Sequence, residues 1–168
     1  MQVRPETLAD ISAIRGVNET AFGRSAEADL VDVLRDDNDV ALSLVAIEDD
    51  QIIGHILFCP IRIDGASKVL SAVSLSPMAV LPEYQKRGVG SKLVEDGLEV
   101  LRDNGTEVVT VLGHPKFYSR FDFKPAQNFS IECPYDVPPE AWMLIELAPG
   151  VLSGQSGKVV YPRAFASL

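Results

Sequence analysis

The sequence has few positive charges relative to its negative ones, and this shortage excludes a class of partner. Its 15 lysines and arginines are outnumbered by 24 aspartates and glutamates, so the formal net charge at pH 7 is −9. Neutralising a nucleic-acid backbone requires a dense basic face, which this composition does not supply. We therefore expect no nucleic-acid partner.

Cysteine and histidine are also scarce, with two of each. Cys59 and Cys133 lie far apart in the sequence, without CxxC spacing and without a nearby pair of histidines. Zinc-binding sequences usually place such ligands a few residues apart. We therefore predict no metal site, and we interpret the cysteines as two buried thiols in a reducing compartment.

Long hydrophobic runs are missing, and no apolar stretch approaches the length that spans a bilayer. The amino terminus lacks the basic, apolar and small-residue order of a signal peptide. We expect no membrane partner and a cytoplasmic location. With 168 residues, 46% of them apolar, the chain can bury one good core, and we predict a single domain over residues 1–168.

The pattern of apolar residues predicts a short strand, two helices and then a meander of strands. The strand covers residues 2–4, and Thr7 with Asp10 has capping-box spacing at the start of a helix that reaches about residue 19. Ser25 is the predicted cap of the second helix. β-Branched and apolar residues then predict antiparallel strands at 41–47, 52–63 and 69–80.

A strand, a helix and a strand follow in an order that predicts a parallel pair. The helix covers residues 88–102, and residues 108–112 form a nearly continuous apolar run, typical of a strand buried on both faces. Ligands bind at the carboxyl ends of such parallel strands. Prolines at positions 134, 138 and 139 mark a loop before a shorter tail.

The segment QKRGVGS, residues 85–91, stands where a strand passes into this helix. Gly88 and Gly90 leave the backbone uncovered at a helix start, where unpaired N–H groups and the positive end of the helix dipole favour phosphate. Lys86 and Arg87 add two cations beside it. The segment therefore predicts a phosphate site with donors enough for a pyrophosphate.

Spacing separates three kinds of glycine loop. A Walker loop, GxxxxGK[ST], needs glycine where Gln85 stands, and Ser91 rather than lysine follows Gly90. A dinucleotide fingerprint that starts at Gly88 needs a small residue where Leu93 stands. The remaining pattern, glutamine, two residues, glycine, one residue, glycine, resembles the acetyl-CoA motif of the GCN5-related N-acetyltransferase (GNAT) superfamily.

Two longer segments are similar to the same family. SPMAVLPEYQKRGVG, residues 76–90, resembles its fourth strand and pyrophosphate loop. VLGHPKFYSRFDFKPA, residues 111–126, resembles the fifth strand, short helix and return strand of one bacterial subgroup of predicted acetyltransferases. The resemblance covers a core of residues 2–147, and the extension at 148–168 matches at subgroup level only. Asp122 departs from the pattern, because the family commonly has glycine there.

The resemblance implies an α+β fold of three layers. Its mixed, mostly antiparallel central sheet carries helices on both faces, and its fourth and fifth strands are parallel and splay apart. It also implies acetyl-CoA as co-substrate, with the pantetheine arm in the gap between these strands, and no metal. Carried over residue by residue, the residues that bind the donor are Met78, Ala79, Val80, Gln85, Lys86, Arg87, Gly88, Val89, Gly90 and Ser91.

The activity implied by the resemblance is acetyl transfer to a primary amine of a small molecule or a peptide. Tyr118 matches the family's general-acid tyrosine, which would protonate the CoA thiolate. The alternative interpretation of Tyr118 is an aromatic residue packed among neighbouring phenylalanines. The oxyanion is expected at a backbone N–H near Met78 or Ala79, beside a bulge in the fourth strand.

The sequence does not identify a general base. We interpret Glu83 as a surface carboxylate, His114 as a turn residue, and His55, inside an apolar strand, as a hydrogen-bonded core residue. The family commonly recognises acceptors with the turn at residues 22–27, although Glu27 is equally explained by its place in a first helical turn. An exposed strand near the carboxyl terminus often pairs subunits in this family, so a homodimer is a further expectation.

Two other functions stay open at this point. One is a CoA-binding sensor or regulatory module that has lost turnover. The other is a structural domain in which Gly88 and Gly90 serve only the packing of helix against strand.

Overall fold

The computed structural model describes residues 1–167, which contain a mixed sheet of nine strands and four α-helices. The strands are β1 (Gln2–Pro5), β2 (Leu42–Glu48), β3 (Gln51–Asp64), β4 (Ala72–Val80), β5 (Val108–Leu112), β6 (Lys124–Pro125), β7 (Ile131–Glu132), β8 (Trp142–Glu146) and β9 (Gly157–Val160). The helices are α1 (Ile11–Phe22), α2 (Ala26–Asp36), α3 (Val89–Asp103) and α4 (Pro115–Tyr118).

The sheet separates two hydrophobic clusters, so the molecule has three layers. Along β2 and β3 the side chains alternate between the faces, as strand geometry requires. Leu44 and Phe58 join the cluster that contains the apolar side of α3, whereas Val45 and Leu57 join the cluster of α1 and α2. The strand order is β1-β2-β3-β4-β5-β8-β6. The expected mixed sheet with helices on both faces is confirmed.

Most predicted element boundaries lie within two residues of the observed ones. The Thr7 N–H donates to Asp10 Oδ2 at 2.7 Å, as a capping box requires, although a short 3-10 turn separates Thr7 from α1. Ser25 does precede α2, but its hydroxyl donates to the Asp29 carboxylate and caps no backbone N–H. The strand predicted at 69–80 begins at Ala72 instead, and Val69 is 98% exposed.

β4 and β5 are parallel, and they separate before β4 ends. Their pairing runs from Ala72 opposite Val108 to Leu75 opposite Val111, whereas β4 continues to Val80. Beyond Leu75 the side of β4 that faced β5 therefore has no strand beside it. This is the splayed parallel pair that the family resemblance implies.

A bulge in β4 lies at the point of separation. On β3, Ile56 is opposite Met78 and Phe58 is opposite Leu75, so Ser76 and Pro77 together face a single β3 residue. The Ser76–Pro77 peptide bond is cis. An extra residue of this kind bends a strand and redirects its backbone groups. The bulge expected from the family resemblance is present, directly before Met78.

The tail beyond β8 is part of the same sheet. β9 pairs antiparallel with Arg62–Asp64 of β3 and parallel with β7, so it has a neighbour on each side. A final 3-10 turn, Arg163–Ser167, buries Ala164 and Phe165 against the cluster of α1 and α2. The homodimer stays a prediction; β9 has a strand on both sides only at Lys158, and Val159 and Val160 have no partner from β7.

Three smaller observations complete the fold. Asp122 adopts the left-handed conformation, with φ +70°, at the position where the family commonly has glycine; aspartate tolerates this conformation better than most residues. Cys59 is buried as expected, but Cys133 is only half-buried. Within residues 1–167, no helix combines the length and the apolar character needed to cross a bilayer.

Candidate active site

A cleft of about 1020 Å³ opens where β4 and β5 separate. It brings together the end of β4, the glycine loop with the start of α3, the segment from β5 to α4, and the turn between α1 and α2. Its lining residues include Phe22, Glu27, Leu75, Ser76, Pro77, Met78, Val80, Tyr84, Gln85, Lys86, Gly88, Val89, Gly90, Ser91, Leu112, Gly113, His114, Phe117, Tyr118 and Arg120. Segments distant in sequence therefore share one open site.

The glycine loop forms the cap of α3 and presents free backbone donors to the cleft. The first hydrogen bond of α3 runs from the Lys92 N–H to the Gly88 carbonyl at 3.0 Å. The amides of Val89, Gly90 and Ser91 precede that bond and have no acceptor within the helix. Gly88 has φ +84°, a conformation in which a β-carbon is strained. This is the geometry of an anion site at a helix N-terminus.

The cations near this loop differ in their placement. Lys86, with φ +59°, lines the cleft. Arg87 lies over the Tyr84 ring, 5.1 Å from its centroid, and its Nη2 is 3.5 Å from a Glu48 oxygen, so it lies outside the cleft lining. A pairing with Glu48 already neutralises part of its charge.

Arg120, which the sequence pattern did not single out, supplies a further cation. Its Nη2 donates to Ser91 Oγ at 3.1 Å, and its guanidinium lies 5.4 Å from the ring centroids of Phe117 and Phe121. It therefore joins the segment after α4 to the last residue of the glycine loop. Its position two residues after Tyr118 was the only signal available, because the contact with Ser91 joins segments distant in sequence.

The end of β4 contributes backbone groups as well as side chains. Met78 and Val80 line the cleft, whereas Ala79 is 2% exposed and does not. The Val80 carbonyl accepts a hydrogen bond from Gln85 Nε2 at 3.0 Å, so the loop's first residue is attached to the strand that precedes it. The structure thus brings together all the predicted donor-binding residues except Ala79 and Arg87 in the wall of one cleft.

Tyr118 is buried at the wall of the cleft beside Gly113. A β-carbon at position 113 would lie 2.3 Å from Tyr118 Cε2, so only glycine allows the ring to occupy this place. The ring is edge-on to Phe117 and Phe123, at centroid distances of 4.9 and 5.6 Å. The two interpretations of Tyr118 are therefore compatible, because its ring packs among phenylalanines and also lines the cleft.

Burial raises the pKa of Tyr118 to about 12, and no neighbouring charge or hydrogen bond in the described part of the chain contributes to this shift. Removing a phenolate from water favours its neutral form. Tyr118 therefore carries its proton throughout the neutral range. The raised pKa makes this phenol a weaker acid than free tyrosine, and at neutral pH it is a hydrogen-bond donor available to a thiolate.

The candidate bases are distributed as follows. Glu83 is exposed and lies outside the cleft lining, whereas the exposed His114 lines it and precedes α4. The His114 carbonyl accepts from the amides of Phe117 and Tyr118, which is a turn role.

His55 is fully buried, in a hydrogen-bonded chain under α1. Its Nδ1 lies 3.1 Å from Asn18 Nδ2, its Nε2 lies 2.9 Å from Ser43 Oγ, and that hydroxyl donates to Glu6 at 2.6 Å. Burial lowers the pKa of His55 to about 4, against the opposing influence of Glu6 and with a further lowering by Arg35. The interpretation of His55 as a hydrogen-bonded core residue is confirmed.

The turn between α1 and α2 contributes Phe22 and Glu27 to the cleft. The Glu27 carboxylate accepts from Arg24 Nε at 3.1 Å, and this guanidinium holds the pKa of Glu27 below its usual value although burial acts in the opposite direction. Asp29 instead pairs with Arg15 at 2.8 Å and lies outside the cleft. Glu27 is therefore the ionised carboxylate that the turn presents.

No group of three or more His, Cys, Asp and Glu side chains in residues 1–167 is arranged to hold a metal ion. The described cleft residues offer backbone amides, the cations of Lys86 and Arg120, the Glu27 carboxylate, the phenols of Tyr84 and Tyr118, and apolar side chains. These are the groups expected to bind an anionic, elongated ligand and to protonate a leaving group.

A model of the acetyltransferase (GNAT) domain matches residues 2–126. The chain belongs to this family, and it is accordingly an N-acetyltransferase by family.

Particular relatives are similar over nearly the whole chain. The uncharacterised N-acetyltransferase YjhQ of Escherichia coli strain K12 is 42% identical over 154 residues, which cover 87% of this chain and 85% of YjhQ. The uncharacterised N-acetyltransferase YhbS of the same strain is 35% identical over 166 residues, 98% of each chain.

Two solved structures extend the similarity to the fold. E. coli YhbS in complex with CoA has a TM-score of 0.93 at 34% identity, and the match covers 98% of this chain and 91% of that one. A GNAT-family acetyltransferase of Brucella melitensis in complex with acetyl-CoA has a TM-score of 0.81 at 35% identity, covering 98% and 97%.

Proposed function

We propose that this chain transfers an acetyl group from acetyl-CoA to a primary amine of a small molecule or a peptide, with Tyr118 protonating the departing thiolate. The observation that carries the proposal is the end of the β4–β5 ladder at Leu75, while β4 continues to Val80 beside the glycine loop. The gap between the two strands lies next to the anion site. It therefore suits the pantetheine arm of CoA, which is attached to the pyrophosphate.

The donor would be held mainly by backbone. The pyrophosphate would meet the amides of Val89, Gly90 and Ser91, with Lys86 and Arg120 neutralising its charge. The pantetheine arm would lie along Met78 and Val80, where strand backbone has no neighbour from β5. Complexes of similar proteins with CoA and acetyl-CoA support this assignment.

In the proposed acyl transfer, each bond that forms or breaks and each proton that moves can be followed. The nitrogen of a neutral amine attacks the thioester carbonyl carbon, a C–N bond forms and the C–S bond breaks. The Tyr118 hydroxyl gives its proton to the sulfur, and the surplus proton on the new amide nitrogen leaves through solvent and restores the phenol. A backbone N–H near the bulge that precedes Met78 would stabilise the oxyanion. No side chain is assigned as base.

Tyr118→Phe tests this function, with Tyr84→Phe as the matched control. Both tyrosines line the cleft, but Tyr84 lies on the loop side, away from α4. Loss of a general acid should lower kcat about 100-fold or more, with CoA affinity nearly unchanged because the ring is retained. Thiol release and calorimetric CoA binding are the measurements.

Full kcat in the Tyr118→Phe enzyme would remove Tyr118 from its role. CoA-dependent thermal stabilisation with no thiol release on any amine would instead support the sensor without turnover. The cytoplasmic location stays a prediction from the sequence.

A further inference from the structure

A second cavity, of about 310 Å³, adjoins the cleft beyond the point where β4 and β5 separate. The two spaces share Leu75, Ser76 and Leu112, which are the last paired residue of β4, the start of its bulge, and the end of β5. Its volume is near the lower limit of small-molecule pockets, about 300 Å³. We call this cavity the aromatic pocket.

Three aromatic side chains form one wall of the pocket. The rings of Tyr135 and Tyr161 are 5.4 Å apart between centroids, and those of Tyr161 and Phe165 are 4.7 Å apart. Phe165 is 7% exposed, and the Tyr161 hydroxyl lies 3.4 Å from Ser74 Oγ on β4. Tyr161 and Phe165 are thus held against the sheet, whereas Tyr135 is 42% exposed at the rim of the pocket. Such faces favour an aromatic ring in offset or edge-on contact.

None of the residues that line the pocket carries a charge, and its polar side-chain groups are hydroxyls of serine and tyrosine. A second ammonium group placed there would lose its hydration without gaining an ion pair. The Glu27 carboxylate, which is paired with Arg24, lines the cleft and not the pocket. The uncharged lining of the pocket therefore favours an uncharged part of the acceptor over a second amine.

We propose that the aromatic pocket binds the ring of an arylalkylamine acceptor, whose single amine then reaches the thioester at the fork of β4 and β5. The proposal rests on the acetyl transfer proposed above. The amine forms the C–N bond, the thioester C–S bond breaks, the sulfur takes the Tyr118 proton, and the product is an N-acetyl arylalkylamine. Polyamines and lysine side chains flanked by charges are poor substrates, because the pocket offers them no counter-charge.

An amine panel tests the proposal with the full chain. 2-Phenylethylamine and tryptamine are compared with 1,3-diaminopropane and a lysine-containing peptide, at saturating acetyl-CoA. We expect kcat/KM for the two arylalkylamines to be at least tenfold higher than for the others. Equal or better use of the diamine or the peptide would overturn the proposal and leave acetyl transfer itself intact.

Val137→Trp fills the pocket from the half-buried loop before β8, and Val69→Trp is the matched control at a 98% exposed position. Val137→Trp should lower kcat/KM for the arylalkylamines about tenfold or more and leave CoA affinity unchanged, whereas Val69→Trp should alter neither. Unchanged discrimination in the Val137→Trp enzyme would count against the pocket as the acceptor site.

Two further experiments distinguish this proposal from an acyl-chain pocket and from a protein without turnover. If the pocket held an acyl chain, wild type would use phenylacetyl-CoA efficiently and Val137→Trp would lose that substrate selectively, which would overturn the acceptor assignment. If no amine is acetylated, calorimetry with 2-phenylethylamine on the CoA-bound protein decides. Saturable binding that Val137→Trp abolishes would support the pocket while the proposed turnover fails, and no binding would overturn the proposal.

Discussion

The glycine-loop end of the cleft and the adjoining aromatic pocket are built in different ways. The donor end, residues 85–91, is one continuous segment whose main groups for a ligand are backbone amides at the start of α3. The aromatic pocket is made of side chains from β4, β5, the loop before β8, the residue that follows β9, and the last 3-10 turn. A backbone site depends on conformation, and a side-chain pocket depends on the identity of each wall residue. One fold can therefore keep its donor and change its acceptor.

The largest expected effect is a loss of CoA affinity, caused by a changed backbone conformation in the glycine loop. Gly88→Val places a β-branched residue at φ +84°, and no atom within 4 Å would clash with its β-carbon, so the effect comes from backbone strain of about 1–2 kcal/mol. The strain shifts the free amides of α3, and the loss of two charge-assisted hydrogen bonds should weaken CoA binding about 100-fold. Calorimetric titration with CoA measures it.

Gly105→Val is the matched control for that experiment. Gly105 also has φ +84° and open space around it, but it follows the other end of α3. Both variants should lose similar stability, and only Gly88→Val should lose CoA affinity. Equal affinity loss in the two would mean that destabilisation, and not the anion site, is the cause.

The second effect is on stability, and it arises in the core beneath α1 and not in the cleft or the aromatic pocket. His55 has a folded pKa of about 4 because of burial, whereas the unfolded value is about 6.5. As pH falls below 6.5, the unfolded chain takes up a proton that the folded protein refuses, so stability falls. Between pH 6.5 and 5 this one group should remove about 1.5 kcal/mol from the free energy of unfolding.

Urea unfolding of His55→Gln at these two pH values should lack that share of the loss. His114→Gln, which changes the other histidine at an exposed position, should retain it. If His55→Gln kept the full pH dependence, the buried histidine would not be its source. Glu6 adds a loss at lower pH, since hydrogen bonds from Arg35 and Ser43 outweigh its burial and lower its pKa.

The smallest expected effect concerns Arg120, the cation that contacts the end of the glycine loop. Arg120→Gln removes the guanidinium held on Ser91 and should weaken CoA binding about tenfold at low salt. The difference from wild type should shrink as KCl rises, because salt screens exposed charges. Arg102→Gln, an exposed arginine in the last turn of α3, is the control. A tenfold loss in that variant as well would assign the effect to net charge alone.

The elements of the fold were largely predictable because their signals are local. Alternating and helical apolar patterns located β2, β3, α3 and β5 to within about two residues, and Thr7 with Asp10 marked the approach to α1. The start of β4 was misplaced because Val69 has the propensity of a strand residue but lies exposed in the irregular segment before the strand. Short strands such as β6 and β7 carry too few residues to show a period.

The candidate site was predictable in part. Its glycine loop could be found because helix caps and left-handed glycines leave a mark over a few adjacent residues. Arg120 could not, since its partner Ser91 is contributed by another element. In the sequence Gly113 looks like a residue that simply ends a strand, and only the structure shows that the Tyr118 ring occupies the space of a β-carbon there.

By itself the sequence determined the order of elements and the glycine loop that caps α3, because both depend on hydrogen bonds and packing between near neighbours in the chain. Tertiary structure alone decided where β4 leaves β5, which of the predicted residues face the cleft, and that the tail supplies an aromatic wall beside the fork. Those features depend on contacts between residues as distant as Ser74 and Tyr161. No local pattern encodes such a contact, because it exists only once the sheet has formed.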